Sequence, residues 1–378
     1  MHKLRFYPVG NGDTSQIVLA NGKRILFDYC HRKDGEDPKN PLIDLKKCLT
    51  EELKAAGRDY FDVVAFTHGD DDHICGSTDF FELLHAEKYQ GKDRIKIREL
   101  WVPAAMVLEP STQEQKSDEV ILWRQEARHR LKQNKGIRVF SKPEALKNWL
   151  EENGMTVESR KHLIVDAGQL VPGFTLAADE VEFFVHSPFV KHMEGGVDVL
   201  RNDCSLIFQV RFEMKGTRTD YFAVGDADYD VFEDVVSITK YHKHDDRLDW
   251  HLFNIAHHCS YRALAPEKGE RETTPTPKVK ELLKHGKPDA YMVSSSNPIS
   301  DDAAAYKQEQ PPHIQARKAY ERHLDEVGGR KFLVTMEEPN GFHPEPIEFE
   351  INEKGLRRAG KDRTGAAVAV GSVTPRAG

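Results

Sequence analysis

Cysteine is scarce in this chain. Five residues in 378, at positions 30, 48, 75, 204 and 259, make an odd number with no C-x-x-C pair. That excludes a disulfide framework and predicts reduced thiols in a cytoplasmic protein without a structural disulfide. No run approaches the roughly 18 consecutive apolar residues of a membrane span, and the opening Met1–Pro8 lacks the apolar core of a signal peptide. A soluble, non-exported chain with no membrane partner is expected. An excess of positive charge is missing too: 54 Lys and Arg face 62 Asp and Glu, a net charge of −8. No global positive field gathers nucleic acid, so any polyanionic substrate must be held locally. What the chain does have, 39% hydrophobic residues over its length, is enough for one large packed domain or two ordinary ones.

Strand-like runs at 4–9, 16–19 and 24–29 are separated by Gly10-Asn11-Gly12-Asp13 and Asn21-Gly22, a pattern that predicts an antiparallel meander. A helical period over 42–56 stops at Gly57, and Val63-Val64-Ala65-Phe66 reads as a strand buried on both faces. From about 80 to 162 the helical periods at 80–88, 113–135 and 143–152 surround one strand at 99–102, and the stretch reads as a helical insertion. Strands return at 162–165, 174–177, 181–185, 205–212 and 221–224, after which helix and strand alternate to a last strand at 347–351. The expectation is a layered α/β domain over 1–355, helices outside two packed sheets. Residues 356–378, rich in Gly, Ala, Arg, Ser and Thr, are expected to be a flexible tail.

The densest chemical signal follows the buried strand: His68-Gly69-Asp70-Asp71-Asp72-His73. Helix capping needs one acid and does not account for two histidines flanking three of them. The spacing suits two metal ions, with His68 and Asp70 directed to one and Asp72 and His73 to the other. A water shared by two such cations loses a proton near neutral pH and becomes a nucleophile, so no serine or cysteine nucleophile is required.

This cluster resembles the H-x-H-x-D-H signature of the metallo-β-lactamase superfamily, in the H-x-D-x-D-H form of the hydrolase domain of ComEC-like DNA-uptake proteins. Further blocks resemble that subgroup in the same order: Val9-Gly10-Asn11-Gly12-Asp13-Thr14, Ile25-Leu26-Phe27-Asp28, Arg201-Asn202-Asp203-Cys204-Ser205-Leu206, Val224-Gly225-Asp226-Ala227 and Ile255-Ala256-His257-His258-Cys259-Ser260. The resemblance implies a four-layer αβ/βα sandwich with two divalent ions at one edge, Zn²⁺ ahead of Mn²⁺. It makes Asp226 the bridging carboxylate and His258 a ligand, with His257 as the alternative. Asp72, Asp226 and His258 become the catalytic groups, and Asp13 and Asp28 outer acids that orient ligand histidines. The chain departs from the superfamily at the third histidine of the first site, where Asn202 stands; with fewer nitrogen ligands, that site suits a harder ion. Ser295 and Asn297, in a late strand-end loop, and His313 are the expected substrate contacts. Cys75, Cys204 and Cys259 adjoin these blocks and read as packing. The implied function is a metal-dependent phosphodiesterase or nuclease acting on nucleic acid, an oligonucleotide or another phosphodiester. The alternatives are an ester, thioester, lactone or lactam hydrolase on the same site, and a catalytically weak regulatory module. The membrane-channel segment of the DNA-uptake proteins is not represented.

Overall fold

The computed structural model describes residues 1–108, 117–190 and 202–360. Along the chain the strands are β1 (His2–Phe6), β2 (Ser15–Val18), β3 (Arg24–Phe27), β4 (Tyr60–Ala65), β5 (Lys96–Pro103), β6 (Ile137–Phe140) and β7 (Ile164–Val165), then β8 (Val181–Ser187), β9 (Ile207–Met214), β10 (Thr217–Val224), β11 (Trp250–Ile255), β12 (Gly286–Ser294) and β13 (Lys331–Val334), and finally β14 (Ile347–Asn352) and β15 (Gly355–Arg358). Two sheets result, in the orders β15-β14-β1-β2-β3-β4-β5-β6-β7 and β13-β12-β11-β10-β9-β8. The opening meander is antiparallel as expected, and β3 through β7 run parallel. In the second sheet β10 to β13 are parallel, while β8 and β9 are antiparallel.

Alternation along the strands shows why the sheets stack. Side chains on a strand point to opposite faces by turns. Val63 and Ala65 of β4 therefore join Tyr221 and Ala223 of β10 and Tyr291 and Val293 of β12 in a core between the sheets. Val64 faces the other way, under Leu45, Leu49 and Leu53 of the helix Leu45–Ala55 and Trp123 of the helix Asp118–Lys132. Phe222 and Val224 face the helices Tyr229–Tyr241, Pro277–Leu283 and Ile314–Glu326. Three cores separate four layers, which is the helix-sheet-sheet-helix order expected from sequence. Among the described residues no helix is long and apolar enough to cross a membrane.

Three expectations are corrected. The stretch 80–162 is no helical insertion: β5 and β6 extend the first sheet in parallel beside β4, with Ala65 opposite Trp101 and Trp101 opposite Arg138. The helices Asp118–Lys132 and Glu144–Glu152 are its crossovers, as parallel pairing demands. The run 174–177, expected to be a strand, begins the short helix Leu176–Asp179, because Thr175 Oγ1 accepts from Ala178 N (3.1 Å) and starts a turn. The expected tail begins inside the sheet: β15 pairs with β14, and Arg358 donates to Glu338 (2.7 Å). Residues 361–378 lie outside the described residues.

Candidate metal centre

Five strands deliver the site. Asp28 follows β3, His68 follows β4, Asp226 follows β10, His258 follows β11 and Ser295 follows β12, so the C-terminal ends of parallel strands from both sheets meet at one edge. The end of β4 runs through Thr67–Asp70 into the one-turn helix Asp71–Ile74, which carries Asp72 and His73. This segment is stitched to its neighbours by Tyr29 N to His73 O (2.9 Å), Asp13 N to Asp72 O (3.0 Å) and Leu206 N to Thr67 O (3.0 Å). Two glycines allow the approach. A Cβ on Gly12 would lie 2.7 Å from Cys30 Sγ and 3.0 Å from Asp72 O, and one on Gly225 would lie 2.6 Å from Thr67 Oγ1.

The side chains converge. Ligand-capable atoms of Asp13, His73, Asp226 and His258, all buried, lie within 4.8 Å of one another, as do those of His68, Asp72 and His73. His73 Nε2 stands 3.1 Å from Asp226 Oδ1 and 3.9 Å from Asp13 Oδ2, and His258 Nε2 stands 3.0 Å from Asp72 Oδ2 and 3.5 Å from Asp226 Oδ2. His68 and His73 pack together with ring centroids 3.9 Å apart.

The other nitrogen of each imidazole is already engaged. His73 Nδ1 donates to Asp28 Oδ2 (2.8 Å) and His258 Nδ1 to the Ser295 carbonyl (2.8 Å). Thr67 Oγ1 gives its proton to Asp28 Oδ2 (2.7 Å) and so accepts from His68 Nδ1 (3.1 Å). Asp28 is itself fixed by Thr67 N (2.7 Å). All three rings thus turn Nε2 inward, the arrangement that outer hydrogen bonds impose on metal-binding histidines.

Burial penalises charge at each of these groups, and the outcome depends on the neighbours. At His73 and His258 the Asp226 charge outweighs burial, leaving His73 well above the imidazole range and His258 at about 10. Burial is likewise overcome at Asp72, held at about 2 by the His258 hydrogen bond, and at Asp226, held far below the carboxylate range by His258 and His73. Only at Asp13 does burial win, raising it to about 6. Without a cation the two imidazoles balance Asp72 and Asp226 by holding protons, and a divalent cation would displace those protons and take over the charge. Asp13 Oδ2 and His68 Nε2 are buried with no hydrogen-bond partner, and His73 Nε2 and Asp226 Oδ1 face each other at 3.1 Å, an expensive arrangement for polar atoms unless a cation takes them. The donor set, imidazole with carboxylate, fits divalent zinc or manganese.

Not every expected residue joins the cluster. Asp70 is partly exposed, with Oδ2 3.5 Å from His68 Nε2, and lies outside both convergent groups. Asn202 opens the short turn Asn202–Cys204, which the Leu206–Thr67 bond places beside the His68 loop. His257, the alternative to His258, points elsewhere: its Nδ1 faces Asp228 Oδ1 (3.2 Å), and the other oxygen of Asp228 accepts from Arg262 Nε (3.0 Å). Ser295 contributes its carbonyl to His258, and its hydroxyl is buried without a partner. Asn297 is held at the rim by Asn11: Asn297 N donates to Asn11 Oδ1 (2.9 Å), and Asn11 Nδ2 donates to Pro311 O (2.8 Å). His313 is corrected. It is buried, its Nδ1 accepts from Tyr261 N (3.4 Å) and its Nε2 donates to Glu309 O (3.1 Å), so neither nitrogen remains for a substrate.

Sequence reasoning put Asp13 in an outer role, whereas the structure places its carboxylate among the inward-facing ligand atoms; its position just before a strand at the same edge as Asp28 was the available signal. It also passed over Arg32. That exposed guanidinium donates to Asn11 O and lies in electrostatic reach of Asp72.

No protein-family model matches the chain, and no curated protein matches it in sequence. Among solved structures, unliganded yeast PDE1 superposes with a TM-score of 0.45 at 10% identity, covering 88% of this chain and 98% of that one. A diphosphatase from the PhnP family gives a TM-score of 0.33 at 11% identity over 93% and 98% of the two chains. A class B3 di-zinc metallo-β-lactamase from an Alaskan soil metagenome gives 0.31 at 10% identity over 85% and 90%. All three TM-scores lie below 0.5, and the chemistry of the site rests on this chain's own strands and side chains.

Proposed function

We propose that the chain is a metal-dependent hydrolase of phosphodiester bonds, of the metallo-β-lactamase type that its motifs resemble. One observation carries the reading: imidazoles and carboxylates from separate strand ends are buried with their ligand atoms in mutual reach and several of them unsatisfied. Asp13, His73, Asp226 and His258 on one side, and His68 and Asp72 with Asp70 at the margin on the other, would hold a pair of divalent ions. Such ions supply Lewis-acid charge and make water acidic enough to yield a nucleophile at neutral pH.

The chain's own groups do the rest. Asp28, Thr67 and the Ser295 carbonyl hold the three Nε2 atoms inward. Arg32, exposed at the rim, is placed to bind a phosphoryl oxygen, a role suited to guanidinium. To His257, steadied through Nδ1 by Asp228 and within electrostatic reach of Asp226, we assign the proton for the leaving oxygen. The net charge of −8 argues against tracking along duplex nucleic acid and favours a short phosphodiester such as a cyclic or linear oligonucleotide.

The test is turnover by purified protein supplied with Zn²⁺ or Mn²⁺, on bis-p-nitrophenyl phosphate against nitrocefin and a thioester. The expected result is hydrolysis of the phosphodiester, reduced about 10³-fold or more in Asp226→Asn if charge stabilisation at the site is lost. Turnover of nitrocefin or the thioester alone would transfer the site to acyl substrates. Metal binding below one ion per chain would make it a binding module.

A further inference from the structure

Two of the five cysteines are in contact at the edge of the site. Cys30 Sγ and Cys75 Sγ are 2.9 Å apart. Cys30 lies two residues beyond Asp28 and is fully buried, while Cys75 lies two residues beyond His73 and is partly open to solvent. Their segments cannot drift apart easily, because Tyr29 N donates to His73 O and His31 N to Cys75 O, each at 2.9 Å, on either side of Cys30. A Cβ on Gly76 would lie 2.8 Å from His31 O, so the two backbones also touch just past the sulfurs. The other cysteines stand apart from this pair: Cys48 is on the helix Leu45–Ala55, Cys204 on the turn Asn202–Cys204, and Cys259 under the His313 carbonyl.

A disulfide needs a sulfur separation of about 2.05 Å, so the two atoms need close by only about 1 Å. We propose that Cys30 and Cys75 are a thiol oxidation site that forms a reversible disulfide, tying the loop that bears Asp72 and His73 to the strand end that bears Asp28. The oxidant class is a low-molecular-weight disulfide. Cys75, the half-buried member of the pair, attacks it, forming a mixed disulfide and releasing one thiol. The Cys30 sulfur then attacks Cys75, closing the protein disulfide and releasing the second thiol. The chain loses two electrons and two protons, and the small disulfide gains both as two thiols. This inference does not depend on the phosphodiester reading, and its test involves no substrate.

The experiment treats the folded full chain with excess glutathione disulfide, quenches with acid and alkylating reagent, and reads intact mass and digested peptides. The expected product has lost two hydrogens, carries no glutathione and yields one cross-linked peptide joining Cys30 to Cys75, which dithiothreitol separates. Cys48→Ser should cross-link as the parent does. Cys30→Ser should stop at a glutathione adduct on Cys75, because the resolving sulfur is gone. Retention of all five free thiols, a stable glutathione adduct on Cys75 in the parent chain, or a cross-link to Cys48, Cys204 or Cys259 would each overturn the proposal. The decisive readout is on the parent chain, so it stands even where a variant fails to fold.

Discussion

Asp28 illustrates how much of the site is done by a residue outside the inward cluster. Its two oxygens take Thr67 N, Thr67 Oγ1 and His73 Nδ1 at 2.7, 2.7 and 2.8 Å, so one carboxylate sets two imidazoles at once. Its own backbone sits at a positive φ of 55°, a conformation that Asp tolerates better than most residues. Asp28→Asn keeps the shape but loses the charge and one acceptor. Outer partners of metal ligands typically matter by about 10–100-fold, so metal affinity, measured by competition with a chromophoric chelator, is expected to fall in that range while the far-ultraviolet circular dichroism stays unchanged. Unaltered affinity would mean that His73 needs no orienting acid.

At the scale of elements, two short segments aim the ligands and both depend on tertiary support. His257, His258 and Cys259 all have positive φ, at 51°, 50° and 66°, a left-handed turn made of non-glycine residues. Each such residue costs about 1–2 kcal/mol. The turn is what sends His257 to Asp228 and His258 to the cluster. The second segment, the one-turn helix Asp71–Ile74 and the turn Ser77–Phe80 after it, is too short to stand alone. It is pinned by the helix Asp118–Lys132, where Glu119 accepts from Gly76 N and Ser77 Oγ, each at 2.7 Å, and Trp123 Nε1 donates to Ser77 Oγ at 2.7 Å. Glu119→Ala is expected to destabilise by about 1–3 kcal/mol, the usual consequence of stranding buried donors. Urea denaturation would show it as a lower midpoint at unchanged slope.

Across the whole molecule, stability should respond to pH and to metal. His186 lies fully buried in β8 against the second sheet's helices, its Nε2 donating to Arg247 O (2.9 Å). Burial depresses it to about 4, from the ordinary 6.5. Above pH 6.5 it is neutral whether folded or not; between 6.5 and 4 the unfolded chain takes up a proton that the folded chain refuses, so stability falls as pH falls and levels off below 4. The contribution is about 3 kcal/mol. His186→Gln should flatten the difference between urea midpoints at about pH 7.5 and about pH 4.5, on either side of most of that uptake; an unchanged difference would assign acid sensitivity elsewhere. If the cluster holds metal only when folded, saturating Zn²⁺ or Mn²⁺ should raise the melting temperature and a chelator should reverse it, by about 4 kcal/mol when free metal is about 1,000 times the dissociation constant. A melting temperature indifferent to both would remove the metal centre.

The layers and the location of the chemistry are written in the amino-acid pattern, because those are local properties. The apolar run Val63–Phe66, the strand-like run at 221–224 and the dense His68–His73 segment are legible without knowing what they touch. Tertiary structure alone decided how the parts assemble. It made β5 and β6 sheet members where helical periods had dominated their surroundings, drew Asp13 inward, excluded His313 by satisfying both its nitrogens, and brought Cys30 against Cys75 across 45 positions. The physical reason is that a side chain's partners at a strand end are set by which strands pair and in what register, and pairing between distant segments leaves no periodic trace in either one.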